Sequence, residues 1–154
     1  MPLLAEYSKA VDQMPSLFEQ LLSCDLKPAS PRAGFPKRPG VYALYEDTTP
    51  IYVGRAKNIW QRIGNHIGGR PEQSSFAFKI AREKTGRLAT YKPEGSRKAL
   101  MLDEIFRTAF TDCMTRIRAL KGRYVVIEDD ILQHLFEVYA ALALKTPYNE
   151  FRTS

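Results

Sequence analysis

Cysteine is scarce in this chain. Cys24 and Cys113 are the only two among 154 residues, and they lie far apart with no CxxC pair. Neither a disulfide framework nor a zinc site is expected, and the thiols read as reduced in a cytoplasmic protein. No stretch of eighteen apolar residues exists, so no transmembrane helix and no membrane partner are expected. The opening MPLLAEYSKAVDQ reaches Glu6 after a single Leu-Leu pair and does not fit a secretory signal. Ten prolines and nine glycines are too few and too scattered for collagen or a low-complexity linker, and there is no internal repeat. Acidic residues are also in deficit: 17 Asp and Glu against 23 Lys and Arg leave a net charge of +6. Such a surface suits a polyanion, nucleic acid or an anionic membrane face, although partnerless soluble proteins are sometimes basic too. Apolar residues at 44% and charged residues at 26% are ordinary for one globular domain with a real core.

The apolar spacing predicts a helix over residues 1–24, carried by Leu3, Leu4, Tyr7, Val11, Met14, Leu17, Phe18, Leu21 and Leu22 and divided near Pro15. Residues 25–39 hold four prolines and read as an extended connector. Gly40–Tyr45 and Ile51–Arg55 read as an antiparallel hairpin. If residues of equal parity pair, Tyr42 and Tyr52 share a face; a one-residue slip would separate them. A helix from about Lys57 carries Ile59, Trp60, Ile63 and Ile67 on its apolar side, with Arg62 and His66 four residues apart on one face. A second helix is expected over Ser74–Lys84, closed by Gly86, and a third from Ser96 with Ala99, Leu102, Ile105, Phe106 and Phe110 inward. Met114–Ile127 reads as a long strand or a hairpin broken at Gly122. A last helix, Asp130–Leu144, is expected to bury Leu132, Leu135, Phe136, Tyr139, Leu142 and Ala143, with Asp130, His134, Glu137 and Ala141 opposite.

Tyr42, Tyr52, Arg55, Lys57, Arg62 and His66 crowd into twenty-five residues. The cations can hold a phosphodiester, and a tyrosine can take a proton from water if neighbouring charge lowers a phenol pKa that is ordinarily about 10. The same residues also fit packing aromatics beside a solvated basic face.

The arrangement of Gly40-Val41-Tyr42, then Tyr52-Val53-Gly54, then Arg62 on the following helix resembles the GIY-YIG nuclease superfamily, with valine in place of isoleucine in both triplets. Glu137 on the last helix and Asn149 after a short loop match that family's ending, and the likeness runs over about residues 38–150. The resemblance implies an α+β fold: a small antiparallel or mixed sheet flanked by helices, here with residues 1–37 as an amino-terminal helical extension and 38–154 as the nuclease-like domain. It implies a DNA endonuclease, acting on duplex or single strands, alone or as a homodimer. It implies Mg²⁺ or Mn²⁺ on Glu137 and water activation by Tyr42 with Tyr52 in support. Arg62 would neutralise charge on phosphorus, and Arg55 and Lys57 would contact phosphate. His66 would relay a proton or orient Tyr42, and Asn149 would brace the site. His134, one turn before Glu137, is a further conceivable ligand. Two rivals stand beside this reading: a catalytically silent nucleic-acid-binding module of the same fold, and a basic scaffold that binds proteins through its first helix. The segment 70–112 is longer than compact relatives require and would read DNA or brace the core.

Overall fold

A computed structural model describes residues 2–68, 70, 74–87, 96–149 and 151. The chain is α+β and divides into two compact units: a sheet unit, Met1–Gln61 with Leu120–Ser154, and a helical unit, Arg62–Ala119.

In the sheet unit, α1 (Pro2–Asp12) and α2 (Met14–Ser23) are separated at Gln13, and Pro15 sits in the first turn of α2, where its missing N–H costs nothing. Strands β1 (Lys27–Pro28), β2 (Gly40–Glu46), β3 (Thr49–Ala56) and β4 (Lys121–Val126) form one antiparallel sheet in the order β1-β4-β2-β3. The connector is therefore not wholly outside the regular structure. Lys27 and Pro28 pair with Gly122 and Lys121, and residues Pro31–Ala33 form a single 3₁₀ turn.

Strand β2 lies between β4 and β3 and is buried along nearly its whole length, which suits its aromatic and aliphatic run. The β2–β3 turn narrows to Asp47 and Thr48, with Asp47 in the left-handed region at φ 55°, a conformation aspartate tolerates better than most residues. The register pairs Tyr42 with Gly54 and Leu44 with Tyr52, the equal-parity arrangement, before a shift at Leu44/Tyr45.

The odd-numbered residues Val41, Ala43, Val53 and Val125 join Tyr45 and Ile127 in one core with Met14, Leu17 and Leu21 of α2 and Phe136, Ala140 and Ala141 of α7 (Asp130–Leu144). Each such leucine or phenylalanine contributes about 1.5–3 kcal/mol by leaving water. Helix α7 presents a different face from the expected one: Ala141 is buried, whereas Leu142 and Ala143 are exposed. Buried Gln133 donates from Nε2 to the Ile127 carbonyl at 2.7 Å, so the polar side chain is satisfied inside the core.

Helix α3 (Ile59–Ile67) begins in the sheet unit, and its later turns belong to the helical unit. There α4 (Ser75–Thr85), α5 (Arg97–Leu102) and α6 (Glu104–Arg118) follow. Gly86 closes α4 at φ 71°. The Ser96 hydroxyl accepts from Ala99 N–H and caps α5, as its position suggests. The third expected helix is in fact two. Asp103 interrupts it, its carboxylate accepting from the N–H groups of Ile105 and Phe106 at 2.9 and 3.2 Å. That break turns Leu102 and Ile105 outward, 77% and 68% exposed, and leaves Leu100, Phe106 and Phe110 inside. Phe78 packs on Phe106 and Phe110 with ring centroids 4.9 and 5.8 Å away.

The expected strand or hairpin over Met114–Ile127 is also corrected. Helix α6 runs through Arg118, because Phe110, Cys113, Met114 and Ile117 continue its buried row, and only Lys121–Val126 is extended.

Candidate active site

Tyr42 and Tyr52 stand on one face of the sheet, ring centroids 6.3 Å apart and planes tilted by 51°. Tyr42 is fully buried and Tyr52 half-buried. The residue facing Tyr42 across the hairpin is Gly54. A Cβ at 54 would fall inside the van der Waals shell of the Tyr42 hydroxyl and ring, so the glycine of the second triplet makes room for the tyrosine of the first.

Strand β3 alternates, so Arg55 points with Val53 towards the side covered by α7, opposite to Tyr52. There Arg55 Nε lies 3.4 Å from Glu137 Oε2. The Glu137 side chain is 23% exposed. Burial pushes its carboxyl above the ordinary glutamate value, against the opposing pull of Arg55 and, more weakly, His134. Glu137 thus sits on the flank of α7 beside buried Phe136 rather than on an open polar face. His134 is exposed, with Nδ1 2.6 Å from the Asp130 carbonyl one turn earlier.

Beyond α7 the chain returns along the outer edge of β3. Lys145 stops the helix in the left-handed region at φ 54°, and Tyr148 N–H donates to the Ile51 carbonyl at 3.2 Å. Val53 N–H donates to Asn149 Oδ1 and Asn149 Nδ2 donates to the Val53 carbonyl, both at 2.7 Å. The Thr146 hydroxyl donates to the same Oδ1 at 2.7 Å. Thr146 was not among the residues the sequence singled out; its signal is a threonine three positions before Asn149, in reach of an amide that needs orienting.

Arg62 and His66 belong to the helical unit, four residues apart along α3. His66 is buried against Phe76, rings edge-to-face at 6.0 Å, and burial followed by the Arg62 charge lowers its pKa to about 3. It is a neutral imidazole at physiological pH. Lys57, between β3 and α3, is exposed.

No family model matches the chain. Two curated sequences do, both UvrABC system protein C. The protein of Maricaulis maris is 29% identical over 97 residues, covering 62% of this chain. That of Trichlorobacter lovleyi is 41% identical over 49 residues, covering 31% of it. The matches span 13% and 8% of those relatives' lengths. Among solved structures, the GIY-YIG N-terminal endonuclease domain of UvrC from Thermotoga maritima aligns with 75% of this chain and 88% of that domain, at 16% identity and TM-score 0.40. The same domain bound to its catalytic divalent cation, magnesium, aligns at 17% identity and TM-score 0.37 over 75% and 88%. The chain resembles the GIY-YIG nucleases.

Within this GIY-YIG-like site the carboxylate supply is spare. Among the described residues no group of three His, Cys, Asp or Glu converges as a metal cage. A lone carboxylate fits Mg²⁺ or Mn²⁺ better than zinc or calcium, since magnesium retains most of its waters and takes one or two protein ligands. The 3.4 Å contact to Arg55 is loose and made from the flexible side chain of an exposed residue, so a divalent ion can compete for the carboxylate. No helix among the described residues is long and apolar enough to cross a membrane.

Proposed function

We propose that this chain is a divalent-metal-dependent endonuclease hydrolysing phosphodiester bonds in DNA, with residues 38–154 as its nuclease-like part. The observation that carries the reading is Glu137: a partly buried carboxylate, its affinity for protons raised by burial, in loose contact with Arg55. A carboxylate kept at a cost in a half-buried position is what a transient cation site needs. Bound there, the ion would polarise the scissile phosphate and stabilise the leaving oxygen.

The chain's own groups supply the remainder. By its place in the motif Tyr42 takes the proton from the attacking water, with Tyr52 beside it supporting that step or contacting phosphate, although both stand on the sheet face opposite to Arg55. Arg62 offsets the charge that develops on phosphorus, the largest electrostatic demand of such a step. Arg55, once released from Glu137, and exposed Lys57 hold backbone phosphate. Asn149 keeps β3 and the segment after α7 in register. A buried neutral His66 acts by orienting its neighbours or passing a proton along, and its low pKa makes it a poor terminal base.

The Arg55–Glu137 pair also favours one rival: in a catalytically silent module the guanidinium would stay where the cation would sit. A cleavage assay separates the two. Purified chain is incubated with supercoiled plasmid, linear duplex and single-stranded DNA in Mg²⁺, Mn²⁺ or EDTA, beside Glu137→Ala, Tyr42→Phe and Tyr52→Phe. Metal-dependent cutting that falls at least about 100-fold in Glu137→Ala is expected. Cutting at the wild-type rate without that carboxylate refutes the metal assignment. Because Tyr42 is fully buried and Tyr52 is not, a larger loss in Tyr52→Phe than in Tyr42→Phe moves the proton-accepting role to Tyr52.

A further inference from the structure

The +6 of the chain is not shared between its two units. The helical unit, Arg62–Ala119, holds twelve Lys and Arg against six Asp and Glu, and the sheet unit holds eleven of each. The helical unit therefore carries the whole net charge, and the unit with the tyrosines and Glu137 is neutral.

Within the helical unit, the cations are spread over α4, α5 and α6 rather than gathered in one loop. Lys84, Lys98, Arg107 and Arg118 are exposed. Among the described residues, Lys84, Lys98 and Arg107 enter no ion pair, while Arg87 Nη2 pairs with Asp103 Oδ2 at 2.6 Å. Asp103 is thereby occupied twice, since the same side chain caps α6. Arg82 and Arg97 both lie over the ring of Phe78, 4.9 and 5.1 Å from its centroid, two like charges gathered on one buried aromatic. Burial first, and then the Arg97 charge, push the Arg82 pKa down.

On the outer side of α6, Arg107, Thr111, Thr115 and Arg118 are all exposed and recur at intervals of four, four and three residues, forming one stripe. Its two arginines are separated by about 16 Å along the axis. Between them lie Thr111 and Thr115; the Thr115 hydroxyl donates to the Thr111 carbonyl at 3.2 Å, and that of Thr111 suits a phosphate oxygen. A helix that lies on lipid would place an apolar band there.

We propose that the helical unit is a nucleic-acid backbone clamp, binding duplex phosphates through Lys84, Lys98, Arg107 and Arg118 across α4–α6. It supplies sequence-independent affinity to a chain whose sheet unit has no net charge to contribute. The proposal takes the identity of the polyanion from the nuclease reading and nothing else.

The test is binding of the full chain to a 20-base-pair duplex of arbitrary sequence, by fluorescence anisotropy in EDTA between 50 and 200 mM KCl. Three chains are compared: wild type, K84E/K98E/R107E, and K9E/K121E/K145E. The last makes the same change in net charge at exposed lysines of the sheet unit. The helical set should lose at least about tenfold in affinity, and its salt slope should flatten by about 2–3, close to 0.9 for each phosphate contact removed. The sheet set should change by less than about threefold. Equal losses in the two sets, or none in the helical set, overturn the proposal. K84Q/K98Q/R107Q, checked by circular dichroism, should show the same ranking with smaller losses and guards against a misfolded reversal variant. Capture of the wild type by phosphatidylserine vesicles without duplex binding also overturns it, in favour of a membrane surface. Glu137→Ala should bind duplex no more weakly than the wild type, since loss of the carboxylate frees Arg55. If the wild type cuts no DNA in Mg²⁺ or Mn²⁺, the nuclease reading fails while the clamp stands; if the clamp variants bind normally, the reverse holds.

Discussion

Asn149 grips Val53 by both ends of its amide, accepting from the backbone N–H and donating to the carbonyl at 2.7 Å each. One side chain thus does for edge strand β3 what a neighbouring strand would do, and it ties the segment after α7 to the strand bearing Tyr52 and Arg55.

Asn149→Ala should destabilise the protein by about 1–3 kcal/mol, since two polar groups of a half-covered strand lose their partner together. Urea unfolding measures the loss, and amide exchange at Val53 should accelerate. Asn149→Asp should do no better, because a carboxylate oxygen would then face the Val53 carbonyl. Thr146→Val, which removes one donor to Oδ1, should cost about 1 kcal/mol.

Gly54→Ala should be among the most damaging single-methyl additions in the chain, costing about 2 kcal/mol or more, because its new carbon meets the Tyr42 hydroxyl and ring rather than open space. Truncating Tyr42 to Ala removes the obstruction. The Gly54→Ala/Tyr42→Ala pair should therefore be clearly less unstable than the sum of its parts. Additive losses in thermal denaturation would show that the two residues do not share that space.

Glu137 binds its proton more tightly in the folded chain than in the unfolded one, chiefly through burial. The folded state therefore holds more proton than the unfolded state as pH rises from the ordinary glutamate value through the raised one, and stability declines over that window. Above it the penalty is constant. Glu137→Gln should abolish this decline and melt higher than wild type at neutral pH. Melting curves from pH 4 to 7 measure both effects. Mg²⁺ should shift wild type upward at neutral pH and leave Glu137→Gln unmoved.

His66 works in the opposite sense. Its pKa falls from 6.5 to about 3 on folding, so between those values the unfolded chain takes up a proton that the folded chain refuses. Stability is intact above pH 6.5 and drains away as pH falls towards 3, at a limiting rate of about 1.4 kcal/mol per pH unit from this one group. His66→Gln should flatten that part of the profile in urea unfolding at pH 4, 5 and 6. An unchanged slope would mean that the imidazole is reached by water.

The hairpin and both of its triplets were legible because strand alternation and turn composition are local signals, and Tyr42 and Tyr52 share a face as equal parity requires. Glu137 and Asn149 were found by motif, but the reason Asn149 matters, its grip on Val53, is a contact between residues 96 apart that no periodicity reveals. The misreadings had physical sources. Ile117-Arg118-Ala119 satisfies both a period of two and the end of a helical row, and the buried positions upstream decided for α6. Ser96 to Phe110 looks like one helix until Asp103 is seen to cap a second. Ala141 and Leu142 are adjacent, and their contrast follows from which flank of α7 meets the sheet. The division of charge was legible in composition alone, but only once the boundaries at Gln61/Arg62 and Ala119/Leu120 were known.

The same boundaries bear on how the chain is made. Strand β2 is flanked by β3, which follows it at once, and by β4, which comes only after the whole helical unit. On a ribosome the β2–β3 hairpin emerges with one long edge unmatched, and it stays so while α4, α5 and α6 are synthesised. Those helices have partners close in sequence and can settle first. The last part of the sheet to be completed is its interior, and until residues 121–126 arrive the nascent hairpin offers an open edge to any passing strand.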